Sequence, residues 1–141
     1  MDHIVYLDAK AKELDRLRSG EKDMIIRGAM GRKMPYGKVF AGDVLFFVEN
    51  KGDSLVKAKA RVDNVFTSDK LSREESLQIV QEHQDRLWLN ESMNKRFAGK
   101  RYLTLITVID FFLLDPFPID RSAYGNMDDW LPVEKIDTVR M

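Results

Sequence analysis

The sequence predicts an α+β domain in which a curled, barrel-like mixed β-sheet carries helices at its rim. Its 141 residues suffice for one domain, and no linker, repeat or low-complexity segment divides residues 1–141. The predicted elements run strand, helix, several strands, helix and long strand, without the regular helical crossovers of a doubly wound parallel sheet. Short, strongly apolar strands in a chain of this size favour a sheet that curls on itself.

The beginning of the chain predicts two short strands separated by a helix. Residues 4–7 form an apolar run typical of a strand. Asp8 is a candidate N-cap for a helix that continues to about Ser19, with apolar residues at helical spacing. Gly20 supplies the left-handed residue that ends such a helix, and residues 24–27 predict the second strand.

A glycine-rich loop and a hairpin follow. Residues 28–42 contain four glycines and one proline, which is typical of a loop that lets a ligand approach the backbone. Residues 43–49 predict a buried strand, and residues 50–54 predict a turn. Residues 55–66 alternate small apolar and mostly basic side chains, so we expect an antiparallel partner strand with a basic outer face.

The second half predicts helices and then the longest strand. Ser72 and Glu75 match a capping box, which predicts a helix that continues to about Leu89. A short helix or turn is expected over residues 91–97. The β-branched and aromatic content of residues 101–114 favours a strand. We expect this strand to end at the prolines that follow, and Trp130 to pack a closing segment on the core; these residues are Pro116, Pro118 and Trp130.

Composition excludes several classes of site. Cysteine is absent, which rules out disulfides, zinc ribbons, cysteine nucleophiles and iron–sulfur clusters. His3 and His83 are the only histidines, so we expect no metal site and no cofactor. No apolar stretch approaches the ~18 residues of a membrane span, and the first residues lack signal-peptide character. The cytoplasm is therefore the expected location.

Charge is balanced overall but uneven along the chain. The 23 basic and 23 acidic side chains cancel, which argues against a uniformly basic nucleic-acid coat. Residues 27–38 and 93–101 each hold four basic side chains and no acid, whereas residues 110–141 are acidic. These two basic islands favour either an anion-binding face or a solvated surface with chance clustering. Whether they share one surface depends on the fold.

The segment Gly20-Glu-Lys-Asp-Met-Ile-Ile-Arg27, followed by Gly42 and Asp43 before a strand, resembles the signature of the ASCH domain in the PUA-like superfamily. That signature is Gly-x-Lys-x-x-Glu-x-Arg followed by Gly-Asp, and Ile25 stands at its Glu position. The resemblance implies a PUA-like β-barrel with a cleft beside the first helix that binds RNA or nucleotides. It implies that Lys22 and Arg27 are cleft residues.

The first functional hypothesis is a non-catalytic RNA- or nucleotide-binding domain. Phosphates would be contacted by basic side chains, and Tyr36 could stack on a base. The candidate binding residues are Lys22, Arg27, Arg32, Lys33, Tyr36, Lys100 and Arg101. The structural alternatives are a surface Lys22 paired with its acidic neighbours Glu21 and Asp23, and an Arg27 tied to a core carboxylate such as Asp43. For the acidic residues around Asp128 and Asp129, a solvated surface is favoured over a cation site.

Two other hypotheses remain. Some small proteins that share the resemblance deacylate acetylcytidine with a Lys, a Thr and a Glu, so an amidohydrolase acting on acylated nucleosides is one alternative. Lys22 matches the Lys, but Ile25 stands at the Thr position and has no hydroxyl. No Glu matches a motif among Glu74, Glu75 and Glu82. The third hypothesis is a protein-interaction module that uses an apolar surface around Phe111, Phe112 and Phe117.

Overall fold

A six-stranded sheet forms the centre of the structure, a computed structural model that describes residues 1–126 and 128–141. The strands are β1 (Asp2–Leu7), β2 (Met24–Ala29), β3 (Val44–Glu49), β4 (Leu55–Thr67), β5 (Tyr102–Pro118) and β6 (Trp130–Glu134). The helices are α1 (Glu13–Ser19), α2 (Arg73–Glu82), α3 (Gln84–Leu87) and α4 (Glu91–Phe97), with one 3₁₀ turn at Ile136–Thr138.

The sheet is mixed and curls into a half-barrel, which confirms the predicted fold class. Its strand order is β2-β5-β4-β3-β1-β6. The β1–β3 pair is parallel and the other neighbours are antiparallel, including the predicted β3–β4 hairpin. Trp130 is fully buried at the start of β6, as predicted for the closing segment. None of the described helices is long and apolar enough to cross a membrane.

Alternation along β2 separates two apolar cores. Ile25 packs in the cluster that contains Phe47 and Trp130. Ile26 points to the opposite face, into the cluster that β2 and β5 share with α2, α3 and α4. Because side chains alternate along a strand, Arg27 lies on the same face as Ile25. The strand therefore carries Arg27 to Trp130 at one end of the sheet, where its guanidinium carbon also lies 6.0 Å from the ring centre of Phe97 in α4.

The first helix is shorter than predicted because Asp8 caps a turn instead of the helix. The Asp8 carboxylate accepts a hydrogen bond from the Ala11 N–H at 2.9 Å, and the Asp8 N–H donates to the Glu13 carboxylate at 2.8 Å. Lys12 then adopts a left-handed conformation with φ of 57°, and α1 begins at Glu13. This turn draws the Glu13 side chain inward.

The predicted helix over residues 72–89 is interrupted, although its capping box is present at Ser72 and Glu75. A ring nitrogen of His83 lies 2.7 Å from the Ile79 carbonyl oxygen, the acceptor that the His83 N–H would use in a continuous α-helix. The His83 N–H donates to the Val80 carbonyl instead. The chain therefore divides into α2 and α3.

Strand β5 extends beyond its predicted end. Leu113 pairs with Ala58 and Phe117 with Val56, so more residues lie on β5 than opposite them on β4. Pro116 falls within this bulge, where a residue without an N–H costs no ladder hydrogen bond. Pro116 therefore does not end the strand, which ends at Pro118, the second of the two predicted prolines.

Candidate functional site

A concave pocket of about 220 Å³ lies where the end of β2 faces α4. It unites the two basic islands, since Arg27 and Lys33 come from the first and Arg96 and Lys100 from the second. Asp129 adds a carboxylate to the lining of the same pocket. The remaining lining residues are Gly28, Ala29, Met30, Met34 and Phe97.

Local sequence explains why these elements approach one another. A Cβ at Gly28 would lie 2.7 Å from Leu103 Cδ2 and 3.1 Å from the Tyr102 carbonyl oxygen, so a larger residue would require β5 to adjust here. On the other wall, the Asn90 side chain accepts a hydrogen bond from the Met93 N–H and starts α4. Gly99, with φ of 86°, then turns the chain after α4 and presents Lys100 to the pocket.

The Arg27 guanidinium is held in place by the backbone. It is only 6% exposed, and it donates to the Ile26 carbonyl at 2.8 Å and to the Tyr6 carbonyl at 2.7 Å. The Trp130 ring centre lies 5.6 Å from the guanidinium carbon. Among the described residues no acceptor hydrogen-bonds the buried Nε–H. Arg27 therefore lines the pocket as a charge whose position is fixed by the backbone.

Asp129 is the acidic partner of this pocket. Its Oδ2 accepts a hydrogen bond from Arg96 Nη2 at 2.9 Å and lies 3.4 Å from Arg27 Nε. The suggested pairing of Arg27 with Asp43 is wrong, because Asp43 bonds the His3 ring at 2.8 Å instead. Four cations against one carboxylate leave the pocket with a positive field, which a concave surface focuses.

Lys22 does not line this pocket. Its side chain is 2% exposed, its ammonium donates to the Leu87 carbonyl, and Nζ lies 3.3 Å from Glu13 Oε2. Burial lowers the pKa of Lys22, although the Glu13 carboxylate opposes that shift. The alternative of a surface lysine paired with Glu21 and Asp23 is wrong, because Lys22 is interior and binds the carboxylate that the Asp8 turn directs inward.

The other predicted binding residues lie apart from the cavity lining. The Arg32 guanidinium carbon lies 5.8 Å from the Tyr36 ring centre and 5.5 Å from that of Tyr102. The Tyr36 hydroxyl donates to the Ser68 carbonyl. Arg101 is exposed immediately before β5. The structure thus brings Arg27, Lys33 and Lys100 together, and places Arg32 with Tyr36 in a separate cation–aromatic cluster.

Comparison with solved structures identifies the fold. The ASCH protein from Zymomonas mobilis superposes with a TM-score of 0.69 at 15% identity, covering 97% of this chain and 90% of that one. A Tyr-to-Phe variant of that protein gives a TM-score of 0.68 at 14% identity, covering 97% and 93%. The chain has the ASCH fold. No protein-family model and no curated protein sequence matches it.

Within the ASCH fold, the residues expected for deacylation are only partly present. Ile25 is fully buried and pairs with Ile106 on β5. Glu13 supplies a carboxylate beside Lys22 that the sequence did not reveal, whereas Glu75 serves as a helix cap. Over the described part of the chain, no hydroxyl side chain hydrogen-bonds the Lys22 ammonium.

The apolar surface expected on this ASCH-fold domain is wrong for two of its three residues. Phe117 is buried, and Phe111 stacks on Phe47 with ring centres 6.1 Å apart. Phe112 is exposed, because neighbouring side chains point to opposite faces of β5. The predicted surface is therefore reduced to Phe112 among these three.

The sequence missed two of the charged residues that line the pocket. Arg96 belongs to the second basic island, which was expected to widen a positive face, but it was not among the candidate binding residues. Asp129 was assigned to an acidic surface, because nothing local connects it with Arg27. Within residues 1–126 and 128–141 no cluster of acidic and histidine side chains could hold a metal ion.

Proposed function

We propose that this ASCH-fold domain binds RNA or a nucleotide by holding a phosphate in the pocket lined by Arg27, Lys33, Arg96 and Lys100. The observation that carries the proposal is the meeting of both basic islands around one immobilised guanidinium. A site for an anion needs an excess of positive charge, and Asp129, which pairs with Arg96 and Arg27, is the single acid among the described residues of the lining.

Arg27 suits a phosphate because its donors are only partly used. A guanidinium has five N–H groups in one plane, and main-chain carbonyls take two of them. Since Nε is buried beside Asp129, the two Nη–H groups that remain are the donors for phosphate oxygens, and Lys33 and Lys100 add point charges. Since the guanidinium is already fixed, binding costs little side-chain entropy at this residue.

Lys22 has a supporting role in this proposal, because its ammonium is buried with Glu13. Arg32, Tyr36 and Arg101 are proposed as contacts for a longer RNA that extends beyond the pocket. Tyr36 and Tyr102 meet edge to face with centres 5.5 Å apart, and the exposed Arg32 covers them. A base could stack on that guanidinium plane.

The test compares two double variants that remove the same charge. Lys33→Ala with Lys100→Ala empties the pocket of two cations, whereas Lys38→Ala with Lys95→Ala removes one lysine from each island outside the lining. We expect the pocket variant to weaken binding of a short single-stranded RNA at low salt by about tenfold or more. The control should change affinity by less than about threefold.

Fluorescence anisotropy over a salt series measures both affinity and its salt dependence. The pocket variant should flatten the plot of log affinity against log salt by about two contacts, which the control should not. Equal losses in both variants would show that binding follows overall charge. Lack of binding by the unmodified protein to RNA, nucleotide and phosphate would reject the proposed function.

A further inference from the structure

We infer that Asp129 makes the pocket selective for a nucleotide that offers a hydrogen-bond donor beside its phosphate, over a bare phosphate. This inference rests on the proposed function and adds the class of ligand. The donor is a sugar hydroxyl or a base amino group, and in either case it would bind the Asp129 carboxylate.

A carboxylate on the wall of a phosphate pocket works against the phosphate. Asp129 lines the same cavity as Lys33 and Lys100, so its charge repels any anion held there. A site that recognised phosphate alone would bind it more tightly with a neutral residue at this position. Arg96 and Arg27 account for the Oδ2 atom of Asp129, so any contact with the ligand belongs to its second oxygen, Oδ1.

Asp129 is held in place by contacts on both its backbone and its side chain. The Asp129 carbonyl accepts a hydrogen bond from the Tyr6 N–H at 2.9 Å, and the next residue, Trp130, is buried in the core. The Asp129 Oδ2 atom lies 2.9 Å from Arg96 Nη2 and 3.4 Å from Arg27 Nε. The carbonyl of the same residue, Tyr6, accepts a hydrogen bond from Arg27. The guanidinium and the carboxylate are therefore held at a fixed spacing.

The second carboxylate oxygen is free to bind a ligand. Among the described residues, no hydrogen bond reaches Asp129 Oδ1, and a quarter of the side chain is exposed. A carboxylate offers about four lone-pair sites and only accepts hydrogen bonds. Its chemistry therefore selects a hydroxyl or an amino group, which donates, and rejects a further phosphate oxygen.

The size of the cavity favours the sugar as the source of that donor. Its volume of about 220 Å³ is small for a complete nucleotide, since sites for drug-sized ligands usually reach ~300 Å³ or more. The phosphate and the sugar would fill it, with the base toward the opening. Ribose hydroxyls are then the donors closest to the phosphate.

The test measures binding of four probes by calorimetry: AMP, 2′,3′-dideoxy-AMP, purine riboside monophosphate and inorganic phosphate. The unmodified protein should prefer AMP to phosphate. A loss of about tenfold or more with dideoxy-AMP identifies the sugar hydroxyls as the donors, and the same loss with purine riboside monophosphate identifies the amino group. Either result supports the inference.

Asp129→Asn supplies the decisive comparison. Removing the charge should tighten inorganic phosphate by about threefold or more, while the preference for AMP over phosphate falls about tenfold. The inference is overturned if Asp129→Asn tightens every probe by the same factor. It is also overturned if the unmodified protein binds all three nucleotides equally, a comparison that needs no folded variant. Binding of RNA with no preference for AMP over phosphate would reject this inference and leave the proposed function intact.

Discussion

Lys22 and Arg27 lie five residues apart and are almost equally buried, yet their surroundings differ. Lys22 faces the buried carboxylate of Glu13 and a main-chain carbonyl. Arg27 uses main-chain carbonyls to fix its plane and lines an open cavity, where its Nε lies 3.4 Å from Asp129 Oδ2. Two basic residues of one short motif thus divide into one that is enclosed by the fold and one that faces a cavity.

The difference follows from the side chains themselves. An ammonium has three donors that radiate from one atom, so a carboxylate and a carbonyl satisfy most of its capacity. A guanidinium spreads five donors along a plane, so one edge can be anchored while another stays available. The depth of burial therefore does not explain why Lys22 and Arg27 differ. The number and direction of the donors that each side chain offers do explain it.

The largest effect should come from Lys22→Met, which breaks the enclosed pair. It leaves the buried Glu13 carboxylate and the Leu87 carbonyl without the donor that even a neutral lysine amine would supply, so the free energy of unfolding should fall by about 3–5 kcal/mol. Urea denaturation measures the loss. In the double variant Glu13→Gln with Lys22→Met, much of it should return, because no buried charge is left. If the single variant is as stable as the unmodified protein, Lys22 is not enclosed as described.

A smaller loss of stability but a larger loss of binding is expected from Arg27→Lys. The charge stays, but the two bonds to the Ile26 and Tyr6 carbonyls cannot both form, which should cost about 1–3 kcal/mol. Nucleotide affinity should fall about tenfold, because an ammonium cannot reproduce the planar fork. The folded fraction of Lys22→Met should bind the nucleotide with nearly normal affinity. Normal binding by Arg27→Lys together with a loss of binding by folded Lys22→Met would contradict the assigned difference between the two residues.

The smallest expected effect is a pH dependence of the free energy of unfolding that arises from the Lys22 ammonium. Burial lowers the pKa of Lys22 below the ordinary 10.5. As the pH rises, the folded chain therefore releases this proton at a lower pH than the unfolded chain does. Between the lowered pKa and 10.5, stability should rise with pH at up to about 1.4 kcal/mol per unit. Denaturation from neutral to alkaline pH should show this rise in the unmodified protein. Subtracting the pH dependence measured for Lys22→Met isolates the contribution of Lys22. If the unmodified protein and Lys22→Met show the same slope of stability against pH, the prediction is contradicted.

Much of the fold could be predicted because its signals are local. The alternation in β4 and the capping box of α2 depend on neighbouring residues only. The end of β5 and the break after α2 were missed for tertiary or side-chain reasons. Pro116 is tolerated at a bulge against β4, and the break in the helix follows from a ring nitrogen of His83 beside the Ile79 carbonyl.

The candidate site was only partly predictable. The two basic islands were visible as runs of charge, but their convergence on one cavity depends on how β2 and α4 pack. The Arg27–Asp129 pair joins residues that are remote in sequence, and no local pattern links them. Glu13 was missed because its inward direction comes from a turn that Asp8 caps where a regular helix was expected.

The pairing of β6 with β1 also has a consequence for how the protein folds. Trp130 donates from its indole nitrogen to the His3 ring, a contact that spans 127 residues of sequence. Closing so long a segment is entropically costly and slow, so this pairing should form late. Asp129 reaches its place only with that strand. Ligand affinity would then report on the last stage of folding, and an intermediate with β2–β5 formed but β6 undocked would have one wall of the pocket missing.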